Sequence, residues 1–424
     1  MSLCPRVAVV GAGLAGLVAA IAAQEAGADV VLYERGSEPG GATRDSAGWI
    51  WRYRDLATAR ACAPHGDEQV QGAVVDRLDE DLAWLETRHV VLRTRDTGRA
   101  LTVGARIDPP QAIGALLERL DRHDADALQL RRSIDGARVL EDGGIELHVD
   151  RRGPSGAREA VLSERERFDA VVFAGGGYAT DLQRIADEAG VADGVFHDWM
   201  LRSERGGDGS SIDAATELGA LRVPATGECL VRLVPSSGPT MPGVGAPTSA
   251  ASIDSRALVR AGELQVPGTS VHAGVDAPAL EQAPHDWSGA QVAWELARLH
   301  GSGTLHLDRA ALRTRIHAGG TVEDAVRAAI DAGAAAGRLA DGGIWLAVRA
   351  GITGTRCGLR VDGDGRLLQP APHRLGRRAG PPQPILHAFA AGIDAADPGM
   401  GGIASGLALA LVLGRRAGTL AGTA

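Results

Sequence analysis

Gly11, Gly13, Gly16 and Glu34 have the residue types and the spacing that bind a dinucleotide. The three glycines form a GxGxxG pattern, in which the second lets a pyrophosphate approach the backbone and the third lets a helix pack closely on a strand. Glu34 follows at about 20 residues, where a carboxylate can accept hydrogen bonds from a ribose. This pattern indicates a dinucleotide only if a strand precedes the glycines and a helix follows them.

The flanking residues supply those elements. The apolar run 7–10 has strand character, and residues 17–23 are small and apolar with good helix propensity. A second apolar run, 29–33, leads to Glu34. The free N–H groups at the start of the helix would face the phosphates. We therefore predict a strand, a tight turn, a helix and a second strand over residues 7–34.

A second glycine-rich loop, residues 39–48 (PGGATRDSAG), follows the acid directly. A site for NAD has no need of this loop. The loop resembles the one that runs along the pyrophosphate and isoalloxazine of FAD in the superfamily of fumarate reductase, 3-ketosteroid dehydrogenase and tricarballylate dehydrogenase. Residues 174–178 (AGGGY) look like the ATGG segment of that superfamily, and residues 205–209 (RGGDG) look like its TGDG element. Residues 398–406 (PGMGGIASG) look like the start of its C-terminal helix, which points at the flavin pyrimidine.

The fingerprint and this resemblance together imply an FAD site built from both ends of the chain. Ile134 stands where relatives lay backbone against the adenine, and Asp394 lies beside the position of a glutamate that touches the ribityl chain. Asp208 is either part of the site or only a helix N-cap. The residues assigned to FAD binding are Gly11, Gly13, Leu14, Ala15, Gly16, Glu34, Arg35, Gly40, Gly41, Ala42, Thr43, Ser46, Ala47, Gly48, Ile134, Ala174, Gly175, Gly176, Asp208, Gly392, Asp394, Gly402, Ala404 and Ser405.

The resemblance also implies the fold class, which is α/β. We expect a Rossmann-like FAD-binding domain in two parts, residues 1–221 and 346–424, with an inserted α+β cap domain for the substrate at 222–345. The length of 424 residues suits two domains. Members that attach FAD covalently carry a histidine shortly before the double glycine, and residues 35–39 contain none. We therefore expect non-covalent FAD.

The candidate catalytic residues follow from where the chain departs from its relatives. The dicarboxylate enzymes have a histidine and an arginine where this chain has Gly354 and Gly399, so fumarate and succinate are not the expected substrates. Asp397 stands where ketosteroid and tricarballylate dehydrogenases have a tyrosine; it is either a base or, as we favour, an acid at the helix start. Backbone N–H groups around Gly401 can polarise a carbonyl, and Arg356 can hold an added anionic group.

Two His-Asp-Trp triplets offer proton donors in the middle of the chain. They contain His197 and His285. A lone histidine is more often a surface or core residue, so both alternatives stay open for each.

The segment from Trp49 to about Gly104 is mostly helical in pattern. It opens with an alternating aromatic set, Trp49, Trp51 and Tyr53, for which core packing and pocket lining are equally compatible with the sequence.

Composition limits the function classes. The net charge of −9 argues against nucleic acid or an anionic membrane as a partner, and all 44 basic residues are arginine, which excludes a Schiff-base lysine. The four cysteines form no CxxC pair, which argues against a redox dithiol or an iron–sulfur cluster. No signal peptide or membrane-spanning run is evident, so a cytoplasmic protein is expected.

The leading hypothesis is an FAD-dependent dehydrogenase or reductase that acts on a C–C bond next to a carbonyl of a small molecule. Hydride would pass between the substrate and flavin N5 while a side chain handles a proton. Because the chain has one dinucleotide fingerprint, its electrons must come from or go to a separate partner or oxygen. The alternatives are an oxygen-using flavin oxidase or monooxygenase, and a flavin-binding protein with a degenerate site.

Overall fold

The protein is described by a computed structural model. The residues that it describes are 4–64, 66–95, 97, 100–152, 158–191, 195–201, 206–223, 229–236, 262–266, 269–271, 296–297, 301–313, 321–331, 334–355, 357–371, 380–396 and 403–424.

The strands within these ranges are β1 Arg6–Val10, β2 Asp29–Glu34, β3 Trp49–Tyr53, β4 Leu92–Thr94, β5 Thr102–Ile107, β6 Leu128–Leu130, β7 Arg132–Val139, β8 Ile145–Arg152, β9 Arg158–Phe168, β10 Ala170–Phe173, β11 Met200–Leu201, β12 Cys229–Pro235, β13 Gly262–Val266, β14 Thr269–Val271, β15 Ser302–Leu307, β16 Ala336–Arg338, β17 Ile344–Thr355, β18 Arg366–Gln369 and β19 Gln383–Ala390. The helices are α1 Leu14–Glu25, α2 Gly41–Arg44, α3 Leu56–Cys62, α4 Glu68–Glu86, α5 Pro109–Asp121, α6 Leu182–Ala189, α7 Ser210–Glu217, α8 Arg309–Leu312, α9 Val322–Asp331 and α10 Ile403–Ala421. Short 3-10 turns lie at Val195–Asp198 and Gly392–Asp394.

The main sheet has six strands in the spatial order β18-β19-β10-β1-β2-β6. Its strands run parallel except for the β18–β19 pair. β1 and β10 are almost wholly buried and read as continuous apolar runs, as expected of parallel strands covered on both faces. In register, Val10 lies opposite both Tyr33 and Phe173. The loops that follow β1, β2 and β10 therefore begin at one edge of the sheet, where α/β folds bind ligands.

Helices α1 and α10 pack together beside this sheet. α1 is buried from Leu14 to Gln24, which fits its apolar composition on all sides. Small residues let the two helices approach closely: a Cβ added to Gly418 would lie 2.1 Å from the Ala19 carbonyl oxygen. A larger residue at Gly418 would therefore push α10 away from α1.

Three further sheets lie within the described residues. β7, β8 and β9 form an antiparallel sheet, as do β3, β5 and β4. A seven-stranded sheet contains β11, β12, β13, β14, β15, β16 and β17. β17 crosses the predicted domain boundary at residue 345, and β11, which precedes residue 222, pairs with it. The division into 1–221, 222–345 and 346–424 stays a prediction.

The helical pattern predicted between residues 49 and 104 is only partly present. α3 and α4 are helices, but residues 49–53 and 102–107 are paired strands. The alternation of aromatic residues at 49, 51 and 53 is the strand signal that the prediction of a helix overlooked. Trp51 is 5% exposed and Tyr53 is fully buried, so these two rings belong to the core, whereas Trp49 is half-buried.

Within the described ranges, no helix is both long enough and apolar enough to span a bilayer.

Candidate functional site

The glycine fingerprint forms the turn between β1 and α1. Gly11 has a φ of +99°, and its N–H donates to the Tyr33 carbonyl oxygen at 2.7 Å. A Cβ on Gly16 would lie 1.7 Å from the Gly11 carbonyl oxygen, so the helix and the turn touch there without room for a side chain. A Cβ on Gly13 would find no protein atom nearer than 3.9 Å. Gly13 thus faces open space, as a pyrophosphate-binding glycine requires.

The second glycine-rich loop lies directly against this turn. The Gly40 N–H donates to the Ala12 carbonyl oxygen at 2.8 Å, and the Leu14 N–H donates to Thr43 Oγ1 at 3.2 Å. α1 begins at Leu14, and its N-cap residue, Gly13, provides no side-chain cap. Apart from the Leu14 N–H, which donates to Thr43, N–H groups at its first turn can therefore serve an anion.

Glu34 ends β2 beside the fingerprint and is half-buried. Its Oε2 accepts the Ala12 N–H at 2.9 Å, and its Oε1 accepts the Gly36 N–H at 2.6 Å. A carboxylate oxygen can accept a second hydrogen bond, so this arrangement also leaves capacity for ribose hydroxyls. The carboxylate both shapes the turn and presents an acceptor.

Arg35 joins the end of β2 to the turn before α7. Its Nη1 lies 2.5 Å from Asp208 Oδ2 and donates to the Gly206 carbonyl oxygen at 3.0 Å. Asp208 Oδ1 also accepts the Ser210 N–H at 3.2 Å, while the N-cap position itself belongs to Gly209. Asp208 therefore has a role at the helix start and a role in linking two predicted cofactor segments.

Asp394 is fully buried at the end of the 392–394 turn. Its carboxylate accepts hydrogen bonds from the N–H groups of Gly175 and Gly177, at 2.6 and 2.8 Å, and from the Ser211 hydroxyl at 2.6 Å. Burial raises the pKa of this carboxyl above its usual range, and the Ser211 hydroxyl and the backbone amides of the glycine turn only partly oppose the shift. Sequence reasoning placed Asp394 at the ribityl chain, but its side chain is enclosed by protein groups.

Three more of the predicted cofactor residues, Ala174, Gly392 and Ile134, are buried. Ala174 adjoins the fingerprint, because a Cβ on Gly11 would lie 2.4 Å from its carbonyl oxygen. Gly392 packs on Ala15, with 3.0 Å between an added Cβ and the Ala15 Cβ. Ile134 lies within β7 and is 1% exposed.

A cavity of about 480 Å³ opens beside the second glycine-rich loop. Polar contacts join residues of its lining: Arg106 donates to the Ala47 carbonyl oxygen at 3.1 Å, and Arg93 pairs with Asp108 at 2.5 Å. The cavity is lined by Arg44, Asp45, Ser46, Ala47, Arg93, Arg106, Ile107, Asp108, Pro109 and Pro110.

Sequence reasoning assigned no role to Ser211 or to eight of the residues that line the cavity: Arg44, Asp45, Arg93, Arg106, Ile107, Asp108, Pro109 and Pro110. Ser211 lies two residues after the 205–209 element, which was a usable signal. Arg44 and Asp45 lie within the second glycine-rich loop, and no spacing pattern marks the other six.

Several predicted catalytic residues lie outside the described residues: Arg356, Asp397, Gly401 and His285, together with Gly402 of the cofactor set. The side chains of Ala404 and Ser405 are likewise not described. His197 is exposed in the 195–198 turn, with its ring 4.3 Å from that of Phe196. The roles of all these residues stay predictions.

The described residues fit FAD. Gly13 offers open space at the start of α1, and the Glu34 carboxylate accepts the N–H of the neighbouring Ala12. Gly176 and Ala47 are exposed in the glycine-rich segments that follow β10 and β2. These are the groups that a pyrophosphate, a ribose and a flavin need.

Comparison with known proteins agrees with this fit. Residues 6–193 match the family model described as DAO, FAD dependent oxidoreductase. A search of curated protein sequences finds no match.

Several solved structures share the fold. The open conformation of a flavocytochrome c3 fumarate reductase is 18% identical with a TM-score of 0.67, over 99% of this chain and 78% of that one. A 3-ketosteroid-Δ4-(5α)-dehydrogenase from Rhodococcus jostii RHA1 is 18% identical with a TM-score of 0.66, over 98% of this chain and 96% of that one. A 3-ketosteroid Δ1-dehydrogenase from Sterolibacterium denitrificans is 15% identical with a TM-score of 0.65, over 98% and 99%. These structures confirm the predicted α/β fold, and the match of residues 6–193 agrees with FAD as the cofactor.

Proposed function

We propose that this FAD-dependent oxidoreductase dehydrogenates or reduces a C–C bond adjacent to a carbonyl in a small organic substrate. The observation that carries the proposal is that the fingerprint turn, the 40–43 loop and the 174–177 turn lie in one region of the fold. Enzymes named as a fumarate reductase and 3-ketosteroid dehydrogenases share this fold. Reductases and dehydrogenases of these names differ in substrate, so the fold alone leaves the substrate open.

The residues that would hold FAD divide by chemical group. The backbone at Gly13 and the first turn of α1 suit the pyrophosphate, and the Glu34 carboxylate suits a ribose. The 175–177 turn and the second glycine-rich loop suit the flavin end. When bound, FAD supplies a hydride donor and acceptor at flavin N5.

The substrate side of the proposal rests on the sequence. Backbone N–H groups near Gly401 would polarise the carbonyl, and Arg356 would hold an added anionic group. Asp397, His197 and His285 are the candidates to hold or move the proton. Gly354 and Gly399 replace the cationic side chains that grip dicarboxylates in relatives, so we propose that fumarate and succinate are not substrates.

We further propose a separate electron partner or oxygen and a reducing compartment, the cytoplasm. Among the described side chains, Cys4, Cys62 and Cys357 form no disulfide, which suits such a compartment. FAD is proposed to be non-covalent, so mild acid or heat should release it. Flavin that stays with the denatured chain would refute the non-covalent attachment and leave the oxidoreductase proposal intact.

The test is an anaerobic screen of flavin absorbance. Saturated carbonyl compounds are added to the oxidised enzyme, and their α,β-unsaturated counterparts to the reduced enzyme. Bleaching in the first arm or reoxidation in the second supports the proposal, and the Gly13→Val protein is the control without bound cofactor. A flavin that responds to no carbonyl compound in either arm contradicts it. Rapid reoxidation by oxygen in a parallel stopped-flow measurement would favour an oxidase instead.

A further inference from the structure

The Asp394 carboxylate is surrounded by hydrogen-bond donors. Oδ2 accepts from the Gly175 N–H and the Ser211 hydroxyl, both at 2.6 Å, and Oδ1 accepts from the Gly177 N–H at 2.8 Å. The two backbone N–H groups can only donate, so either a carboxylate or an acid whose O–H points to the Ser211 hydroxyl oxygen satisfies all three partners. The side chain is fully buried, which makes each of these bonds costly to lose.

The partners of Asp394 come from distant parts of the chain. Gly175 and Ser211 lie 219 and 183 residues away in sequence. Gly175 begins the turn after β10, and Ser211 lies in the first turn of α7. One carboxylate thus connects three segments: the turn after β10, the start of α7 and the 392–394 turn.

Each of these segments also touches another part of the FAD site. The 174–177 turn packs on the fingerprint at Gly11, and its Gly177 carbonyl oxygen accepts the Gly209 N–H at 3.0 Å. Gly392 packs on Ala15 in the first turn of α1. Movement of the Asp394 carboxylate would therefore be transmitted to the fingerprint and to the start of α7.

We propose that Asp394 is a positioning residue, which holds the 175–177 turn in the conformation that receives FAD without itself being a ligand of the cofactor. The inference rests on FAD binding and not on the choice of substrate. Gly176 and Gly177 have φ values of +88° and +81°, so a turn made of glycines has many other conformations open to it. Fixing the turn before FAD arrives lowers the entropy that binding must overcome.

The hydrogen bonds to Asp394 give the proposal a second consequence. They fix the 175–177 turn, which suits the flavin end, so their loss should change the flavin midpoint potential.

Asp394→Asn tests the proposal. The amide keeps the size of the side chain but turns an NH₂ group toward backbone and hydroxyl donors. We expect the dissociation constant for FAD, titrated into apoprotein by flavin fluorescence, to rise about 10- to 100-fold. At saturating FAD, the midpoint potential and the visible circular dichroism of the flavin should both change.

Two further variants make the outcome decisive. Asp81→Asn alters another buried carboxylate, which pairs with Arg415 between α4 and α10, and should change thermal stability without changing FAD affinity, potential or dichroism.

Ser211→Ala removes one donor and should raise the dissociation constant for FAD by about 2- to 10-fold, which decides the matter if Asp394→Asn does not fold. The proposal is overturned if Asp394→Asn loses only thermal stability while its flavin properties match the wild type. Wild-type FAD affinity in Ser211→Ala overturns it in the case where Asp394→Asn is unfolded.

Discussion

Arg35 and Asp208 form a salt bridge, with 2.5 Å between Nη1 and Oδ2, that connects the carboxyl end of β2 to the turn before α7. Both residues belong to the predicted FAD set, and about a third of each side chain is exposed. The pair therefore connects the end of β2, where Glu34 lies, to the turn before α7. In that turn, the Gly207 carbonyl oxygen accepts the Thr180 N–H, and the Gly209 N–H donates to the Gly177 carbonyl oxygen.

The first prediction is that this pair acts as a unit in FAD binding. Arg35→Met and Asp208→Asn should each weaken FAD binding by about 0.2–1 kcal/mol, because partly exposed pairs contribute little. The double variant should be no weaker than either single variant, which a double-mutant cycle on the FAD dissociation constant measures. The same cycle on Glu118 and Arg122, an exposed pair on α5, is the control and should leave FAD binding unchanged. Additive losses at Arg35 and Asp208 would contradict the coupling.

The second prediction separates two glycines of the fingerprint. Gly13→Val should fold normally and lose FAD binding, because the added Cβ meets no protein atom within 3.9 Å but occupies the pyrophosphate space. Gly16→Ala should instead destabilise the fold, since its Cβ would lie 1.7 Å from a carbonyl oxygen. Thermal melting of the apoprotein and FAD titration distinguish the two effects. Gly114→Val on α5, where an added Cβ meets nothing within 4 Å, is the matched control. Gly13→Val protein that retains FAD would remove the pyrophosphate from this turn.

The third prediction concerns Glu34. Glu34→Ala should weaken FAD binding by about 1–3 kcal/mol, the range for a hydrogen bond to a charged group. It should also lower the melting temperature of the apoprotein, because the Ala12 and Gly36 N–H groups lose their acceptor. A lower melting temperature with unchanged FAD affinity would show that the carboxylate serves only the backbone.

The fourth prediction is a pH dependence of stability that arises from Asp81. Burial raises the pKa of this carboxyl to about 6, and the hydrogen bond from Arg415 only partly opposes the shift. The folded state therefore binds the proton more tightly than the unfolded state does. The stabilisation by this proton is complete below the ordinary pKa of an aspartate and is lost as the pH rises through about 6.

The measurement compares the free energy of unfolding of wild type and Asp81→Asn from about pH 4 to about pH 7. The wild type should lose up to about 3 kcal/mol relative to the variant across that range. Asp76→Asn on the same helix is the control, because the Asp76 side chain is exposed. A difference that stays flat, or that changes in the opposite direction, is incompatible with a raised pKa.

The fifth prediction concerns catalysis and uses Asp397→Asn. The change keeps size and hydrogen bonding but removes the charge, so a base role predicts flavin reduction slowed by about 10²–10⁴-fold with FAD still bound. Stopped-flow reduction by a substrate found in the absorbance screen measures the rate, and fumarate and succinate serve as compounds that should not react. An unchanged rate would assign Asp397 to the helix start and direct the search to His197 and His285.

The sequence alone determined the cofactor because its signal is local. The fingerprint, the acid at Glu34 and the second glycine-rich loop all lie within one short stretch near the start of the chain, and Gly11 and Gly16 meet steric demands that other residues fail. The apolar run at 170–173, which forms β10, is likewise a local pattern.

The tertiary structure decided which distant residues meet. Nothing in the types or spacing of Asp394, Gly175 and Ser211 predicts that they share one buried carboxylate, and the sequence instead assigned Asp394 to the ribityl chain. Trp51 and Tyr53 were equally compatible with a pocket and a core until the pairing of β3 with β5 buried them. The physical reason is the same in both cases: burial and hydrogen-bond partners depend on which strands and helices become neighbours, and in this chain those neighbours are far apart in sequence.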